Sequence, residues 1–207
     1  AQALERYLSG EVTAGEPREG TRPRPRRRVF AGLTLGVAAA AALVGGWTAG
    51  PDRAAAQELL DAATAARVAK DDAKAIGFLD LALEEDPSWS ELWSRRAYYR
   101  RATGDIDGAL ADLEHLIGLT GSASAYSLLA DALEERGDLK GAIAAYNQAI
   151  GLGARNQTIH NSLAQLFEKT GDDRAAIAEY SKAVALAPNA LVPRMNRATA
   201  CERIGDY

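Results

Sequence analysis

Few side chains in this 207-residue sequence are equipped for covalent or metal chemistry. It holds two histidines, His115 and His160, and a single cysteine, Cys201. Nucleophilic catalysis needs a base placed beside the nucleophile, and no such pair is legible here. A metal needs several His, Cys or carboxylate ligands at short spacing, and neither a CxxC nor a His/Cys cluster occurs. "GDIDG", from Gly104, has Asp at alternate positions but lacks the rest of a calcium loop. "GLGARN", from Gly151, imitates part of a phosphate loop, yet it follows a helical stretch and reads as a turn. The expectation is therefore a chain with no catalytic residues, no metal site and no cofactor, whose function is to bind.

Composition narrows what it could bind. Apolar residues make up 47% of the chain, enough for a packed core, while aromatics are only 6% and Ala is abundant. That balance favours close-packed helices over a β sandwich. The net charge of −4 hides an asymmetry: residues 1–50 sum to +3 and residues 51–207 to −7. An acidic part with scattered signs lacks the basic stripe that phosphates require, so no nucleic-acid partner is expected.

The positive charge is concentrated in "RPRPRRR", residues 22–28, which closes a Gly/Pro/Arg-rich linker over 11–28. Twenty-two residues without a charge follow, Val29 to Gly50. At the helical rise they reach roughly 33 Å, enough to cross a hydrocarbon core of about 30 Å. Trp47 near the far end suits the membrane interface. The first reading of 29–50 is one transmembrane helix in contact with the lipid bilayer, its N-terminal side held in the cytoplasm by Arg26, Arg27 and Arg28. The same order of basic, apolar and small residues also fits a removed export signal, and a buried helix is the third reading. Gly32, Gly36 and Ala40 share one face of the span, where small residues let two helices approach and form a homodimer.

From Ala56 the sequence copies itself every 33 or 34 residues, with copies at 56–89, 90–122, 123–156, 157–190 and a partial one at 191–207. Such a period, built from two helices, marks a solenoid. One small residue recurs as Ala63, Ala97, Ala130, Ala164 and Ala198. A turn Gly recurs as Gly104, Gly137, Gly171 and Gly205, each followed by Asp, whereas Lys70 stands there in the first copy. The second helix repeats Ala75, Ala109, Ala142 and Ala176, then Leu79, Leu113, Tyr146 and Tyr180; Pro87 and Pro188 end two copies.

These residues resemble the tetratricopeptide repeat. The resemblance implies an all-α solenoid of antiparallel helix hairpins over 51–207, about four repeats and part of a fifth, preceded by the transmembrane helix. It also implies a groove made mainly by the first (A) helix of each repeat, holding an extended protein or peptide ligand. The family's groove positions fall on Ser94, Tyr98 and Arg101, then Ser127, Asp131 and Glu134, then Asn161, Gln165 and Glu168. The acidic middle of that set favours a basic ligand. His160 stands where the repeat places an aromatic ring, so packing is expected of it; His115 should face outward on a B helix and Cys201 inward on an A helix. Arg96 and Arg100 take usually apolar positions, with stems that pack while their heads reach water. Arg194 replaces the usual aromatic of the last copy.

"ALERYLSGE", residues 3–11, places Leu4, Tyr7 and Leu8 at helical spacing and needs something to pack on. With the linker, span and repeats that follow, it resembles the end of the catalytic domain in bacterial transmembrane serine/threonine protein kinases. The resemblance implies that residues 1–10 are the last helix of a kinase lobe. None of that family's phosphate-binding or catalytic loops occurs in this chain. The expected function is a membrane-anchored interaction module, the non-catalytic tail of a kinase involved in signalling. It would be single-pass in a bacterial cell membrane, N-terminus cytoplasmic and repeats outside. The alternative is an exported or membrane-attached repeat scaffold with no kinase activity.

Overall fold

The computed structural model describes residues 51–205. The stub at 1–10, the linker at 11–28 and the expected membrane helix at 29–50, with Gly32, Gly36 and Ala40, lie outside the described residues. Among those described, no helix is long and apolar enough to cross a membrane.

The described chain is all helix and turn. Four hairpins follow one another: α1 (Arg53–Val68) with α2 (Asp72–Glu85), α3 (Ser90–Ala102) with α4 (Ile106–Thr120), α5 (Ala123–Arg136) with α6 (Leu139–Gly151), and α7 (Gln157–Lys169) with α8 (Asp173–Leu186). A ninth helix, α9 (Leu191–Ile204), packs on α8. Each helix packs on its neighbour in sequence, as the 34-residue period requires. The first helix begins at Arg53, where the Asp52 carboxylate accepts the Ala55 N–H and starts it, so it already includes Ala56, the first residue of the first copy.

The repeating Gly-Asp pair explains how each hairpin is cut. Gly104, Gly137 and Gly171 have φ of +84°, +87° and +82°. A side chain there would meet nothing within 4 Å, so conformation rather than space selects glycine. The next residue, Asp105, Asp138 or Asp172, caps the following helix by accepting the N–H of Gly108, Gly141 or Ala175. One residue ends the A helix and its neighbour starts the B helix.

Lys70 occupies the same corner with φ +62°, the described non-glycine residue that carries the left-handed conformation. For an L side chain that conformation costs roughly 1–2 kcal/mol. Lys70→Gly is accordingly expected to raise stability by about 1 kcal/mol, read as a higher urea midpoint with unchanged slope. A midpoint that stays or falls would show that the Lys70 side chain makes up for its strained backbone.

Small residues close each hairpin. Ala63, Ala97, Ala130 and Ala164 are all fully buried, as are Ala75, Ala109, Ala142 and Ala176, so two helix backbones approach closely. Ala198 breaks the series and is exposed, since no helix among the described residues pairs with α9 as α8 pairs with α7.

The core divides at the second repeat. One cluster joins α1 and α2 to Leu92 and Tyr99 of α3. A second begins with Ala97 and runs to Leu163 and Leu166 of α7, and a third gathers Ala164, Ala176, Tyr180 and Ala200. Between the first two lie Arg96 and Arg100, and the expectation that their heads reach water is corrected. Arg96 makes a two-pronged bond to Asp112, 2.9 and 2.5 Å, and a third bond of 2.7 Å to Asp80. Arg100 approaches the same Asp112 at 3.0 Å. Asp112 is only 1% exposed, so the guanidinium groups turn inward to neutralise it.

Candidate functional site

All nine expected groove positions lie on the A helices: Ser94, Tyr98 and Arg101 on α3, Ser127, Asp131 and Glu134 on α5, Asn161, Gln165 and Glu168 on α7. The ring of Tyr98 is exposed, and the other eight residues are half-buried. Ser94 and Ser127 donate back to their own helix, to the carbonyls of Glu91 (2.9 Å) and Ala123 (3.0 Å), which leaves their oxygens free to accept. The Asn161 Oδ1 is buried without a hydrogen-bond partner.

Three of the charged members are tied across repeats to partners outside the set. Arg101 bonds Glu135 at 3.0 and 2.5 Å, Lys169 bonds Glu134 at 2.7 Å, and Arg203 bonds Glu168. Each pair is separated by 34 or 35 residues, one repeat. The three pairs form a ladder from α3 through α5 and α7 to α9. Glu134 and Glu168 therefore already have cations, and the face is less acidic than the bare sequence reads.

Asp131 is the exception. Its Oδ1 accepts the Tyr146 hydroxyl. Its other oxygen lies 3.7 Å from Arg101, whose closer bonds go to Glu135, and the side chain is 40% exposed. Burial pushes the Asp131 carboxyl above its usual range; the bond from Tyr146 and the charge of Arg101 pull it back, while Glu134 and Glu135 push it further up. The Tyr146 phenol is raised by burial and by donating to Asp131. Tyr180, one repeat later, donates instead to Glu168 at 2.6 Å and is raised by burial and by that bond.

A pocket of about 550 Å³ opens between α5 and α7 beside Asp131. Ser127 and Asp131 of the expected set line it, together with Tyr146, Ser162, Leu128 and Ile159. The other seven expected residues lie outside its walls. Tyr146 and Ser162 were not read as site residues. The available signal was that a buried tyrosine, unlike the Leu113 of the preceding repeat, needs an acceptor for its hydroxyl.

The remaining candidates are structural. His160 is buried with its Nδ1 2.7 Å from Glu179. His115 is exposed, and its ring lies 3.9 Å from that of Trp93. Cys201 is half-buried and Arg194 exposed. "GDIDG" supplies the Asp105 cap, and "GLGARN" turns from α6 towards α7 with Gly153 at φ +94°.

The fold and its ladder of A helices define a helix-hairpin repeat protein built to present one continuous face. The sequence of residues 94–157 and 129–190 matches the family model of the tetratricopeptide repeat, and the described helices share the fold of solved tetratricopeptide repeat structures. No curated protein matches the chain. Among solved structures, the MamA protein is 23% identical with a TM-score of 0.67, over 73% of this chain and 84% of that one. A tetratricopeptide repeat protein from Parabacteroides merdae is 16% identical with a TM-score of 0.68, over 74% of this chain and 62% of that one. YrrB, described as a tetratricopeptide repeat protein with an unusual peptide-binding site, is 14% identical with a TM-score of 0.60, over 73% and 78%. At these identities the likeness is one of fold.

Proposed function

We propose that this chain is a protein-protein interaction module that holds an extended peptide along α3, α5 and α7. The observation that carries the reading is the alignment of these helices by one-repeat ion pairs, which makes a continuous polar face with an open pocket in its middle. An extended chain laid across helices can meet one such face at successive repeats. YrrB, of the same fold, is named for a peptide-binding site.

The reading extends to a membrane and to a kinase. The uncharged run 29–50 behind Arg26–Arg28 supports a single-pass anchor with the repeats on the extracytoplasmic side, and Gly32, Gly36 and Ala40 support pairing of two anchors. "ALERYLSGE" supports attachment to a bacterial serine/threonine kinase, for which the repeats would be the sensing end.

Two measurements test this reading together. A random-peptide library panned on the full chain should yield peptides that Tyr98→Ala and Gln165→Ala release. Peptides held equally by these variants would move the site off the face. Protease added outside intact cells should digest the repeats and leave a membrane-bound N-terminal piece; full-length soluble protein would defeat the anchor.

A further inference from the structure

We propose that the pocket between α5 and α7 is a lysine-specific side-chain site, in which a lysine of the bound peptide places its ammonium on Asp131. The inference rests on the peptide-binding reading and assigns the chemistry of one position in that peptide.

Charge selects the residue. On α5 and α7 each glutamate is matched by a cation at 3.0 Å or less: Glu135 by Arg101, Glu134 by Lys169, Glu168 by Arg203. Asp131 alone among the expected acidic positions has its nearest guanidinium at 3.7 Å, beyond hydrogen-bond distance, while a pocket opens beside it. A cation entering there meets a carboxylate that the fold has left incompletely neutralised. Burial makes that carboxylate harder to keep charged, and a bound ammonium removes the difficulty.

Shape and donor count select lysine over arginine. A guanidinium seeks two parallel acceptors on one carboxylate. Here Oδ1 already accepts from Tyr146, so only Oδ2 is without a hydrogen bond and the two oxygens are not equivalent to a paired donor. An ammonium has three donors on one atom and can spread them over that oxygen and nearby hydroxyls. Ser127 spends its proton on the Ala123 carbonyl, so its oxygen is left as an acceptor in the pocket wall. Ser162, on the α7 side, offers a second hydroxyl. Leu128 and Ile159 supply apolar surface for the four-carbon stem.

The test pans a random-peptide library on the full chain and on its Asp131→Asn variant, then remakes the retained peptides with norleucine, citrulline or Arg in place of Lys. Lys should be enriched at one position on the unaltered chain, and Lys→norleucine should weaken binding about tenfold, the worth of one charged hydrogen bond. On Asp131→Asn the Lys and norleucine peptides should bind alike, with thermal unfolding confirming that the variant is folded. Retained peptides without Lys enrichment, equal binding of Arg and Lys forms, or a Lys preference that survives Asp131→Asn would each overturn the assignment while leaving peptide binding intact. A library that yields no peptide at all defeats the interaction reading itself, and this inference with it.

Discussion

Asp112→Ala should destabilise the protein by about 3–5 kcal/mol, the loss found when one member of a buried ion pair is removed. Asp112 sits on α4 at 1% exposure and receives Arg96 through two bonds, 2.9 and 2.5 Å, and Arg100 at 3.0 Å. Without it, Arg96 keeps only the half-buried Asp80 at 2.7 Å, and Arg100 is left with the Gly108 carbonyl at 3.1 Å and the more distant carboxylates of Asp105 at 3.6 Å and Asp80 at 3.9 Å. Water cannot readily reach Arg96, whose side chain is 13% exposed and whose guanidinium lies 4.9 Å from the centre of the Trp93 ring.

The cost belongs to the uncompensated charge rather than to any large worth of the bridge. Converting Arg96, Arg100 and Asp112 together to Leu should therefore recover most of the loss. Urea unfolding of the single and triple variants measures both. A loss below about 1 kcal/mol for Asp112→Ala, the size typical of an exposed pair, would mean that solvent reaches this seam. The seam also separates the cluster of α1 and α2 from the cluster that begins at Ala97, so its disruption should loosen the first hairpin before the rest.

How much of this was legible in the sequence follows from the range over which each feature is decided. The hairpins were legible because a Gly-Asp pair ends one helix and starts the next within two residues, and because a helix-facing Ala recurs at each copy. Arg96 was misread because its partners, Asp80 and Asp112, lie 16 residues away on either side, on other helices. An aspartate on a B helix looks like a solvated one until the helices are packed. The groove acids were misread for a related reason. Glu134 was counted as free charge, although Lys169 stands one repeat further on; opposite charges offset by the repeat length were a usable signal. Tyr146 was placed only as a repeated large residue of the second helix, because its position followed from the period and the need of its hydroxyl for Asp131 did not. The ends of the array differ again: Ala198 follows the repeat in sequence, yet its burial depends on a neighbouring helix.

Tyr180→Ala should produce a loss of about 3–5 kcal/mol, the usual cost of truncating a buried aromatic, concentrated at one end of the molecule. Tyr180 is 0% exposed and is the large side chain of a cluster otherwise made of Ala164, Ala176 and Ala200, with Phe167 and Ile177 beside it. Its hydroxyl donates to Glu168 at 2.6 Å; Glu168 also holds Arg203 of α9, and Arg203 holds Asp173 of α8 at 2.6 Å. Truncation thus leaves a cavity among alanines too small to fill it and removes one bond from the carboxylate that ties α9 down. Because each helix packs on its neighbours in sequence, the damage should stay near α7, α8 and α9. Amides of α9 should lose hydrogen-exchange protection while those around Leu59 and Leu79 of the first hairpin keep theirs. Tyr180→Phe separates the two contributions, since it keeps the ring and should cost only about 1.5–3 kcal/mol for the lost bond to a carboxylate. Equal loss of protection from α1 to α9 would instead show that the array unfolds as one unit, and that its three clusters are divisions of packing without being divisions of stability.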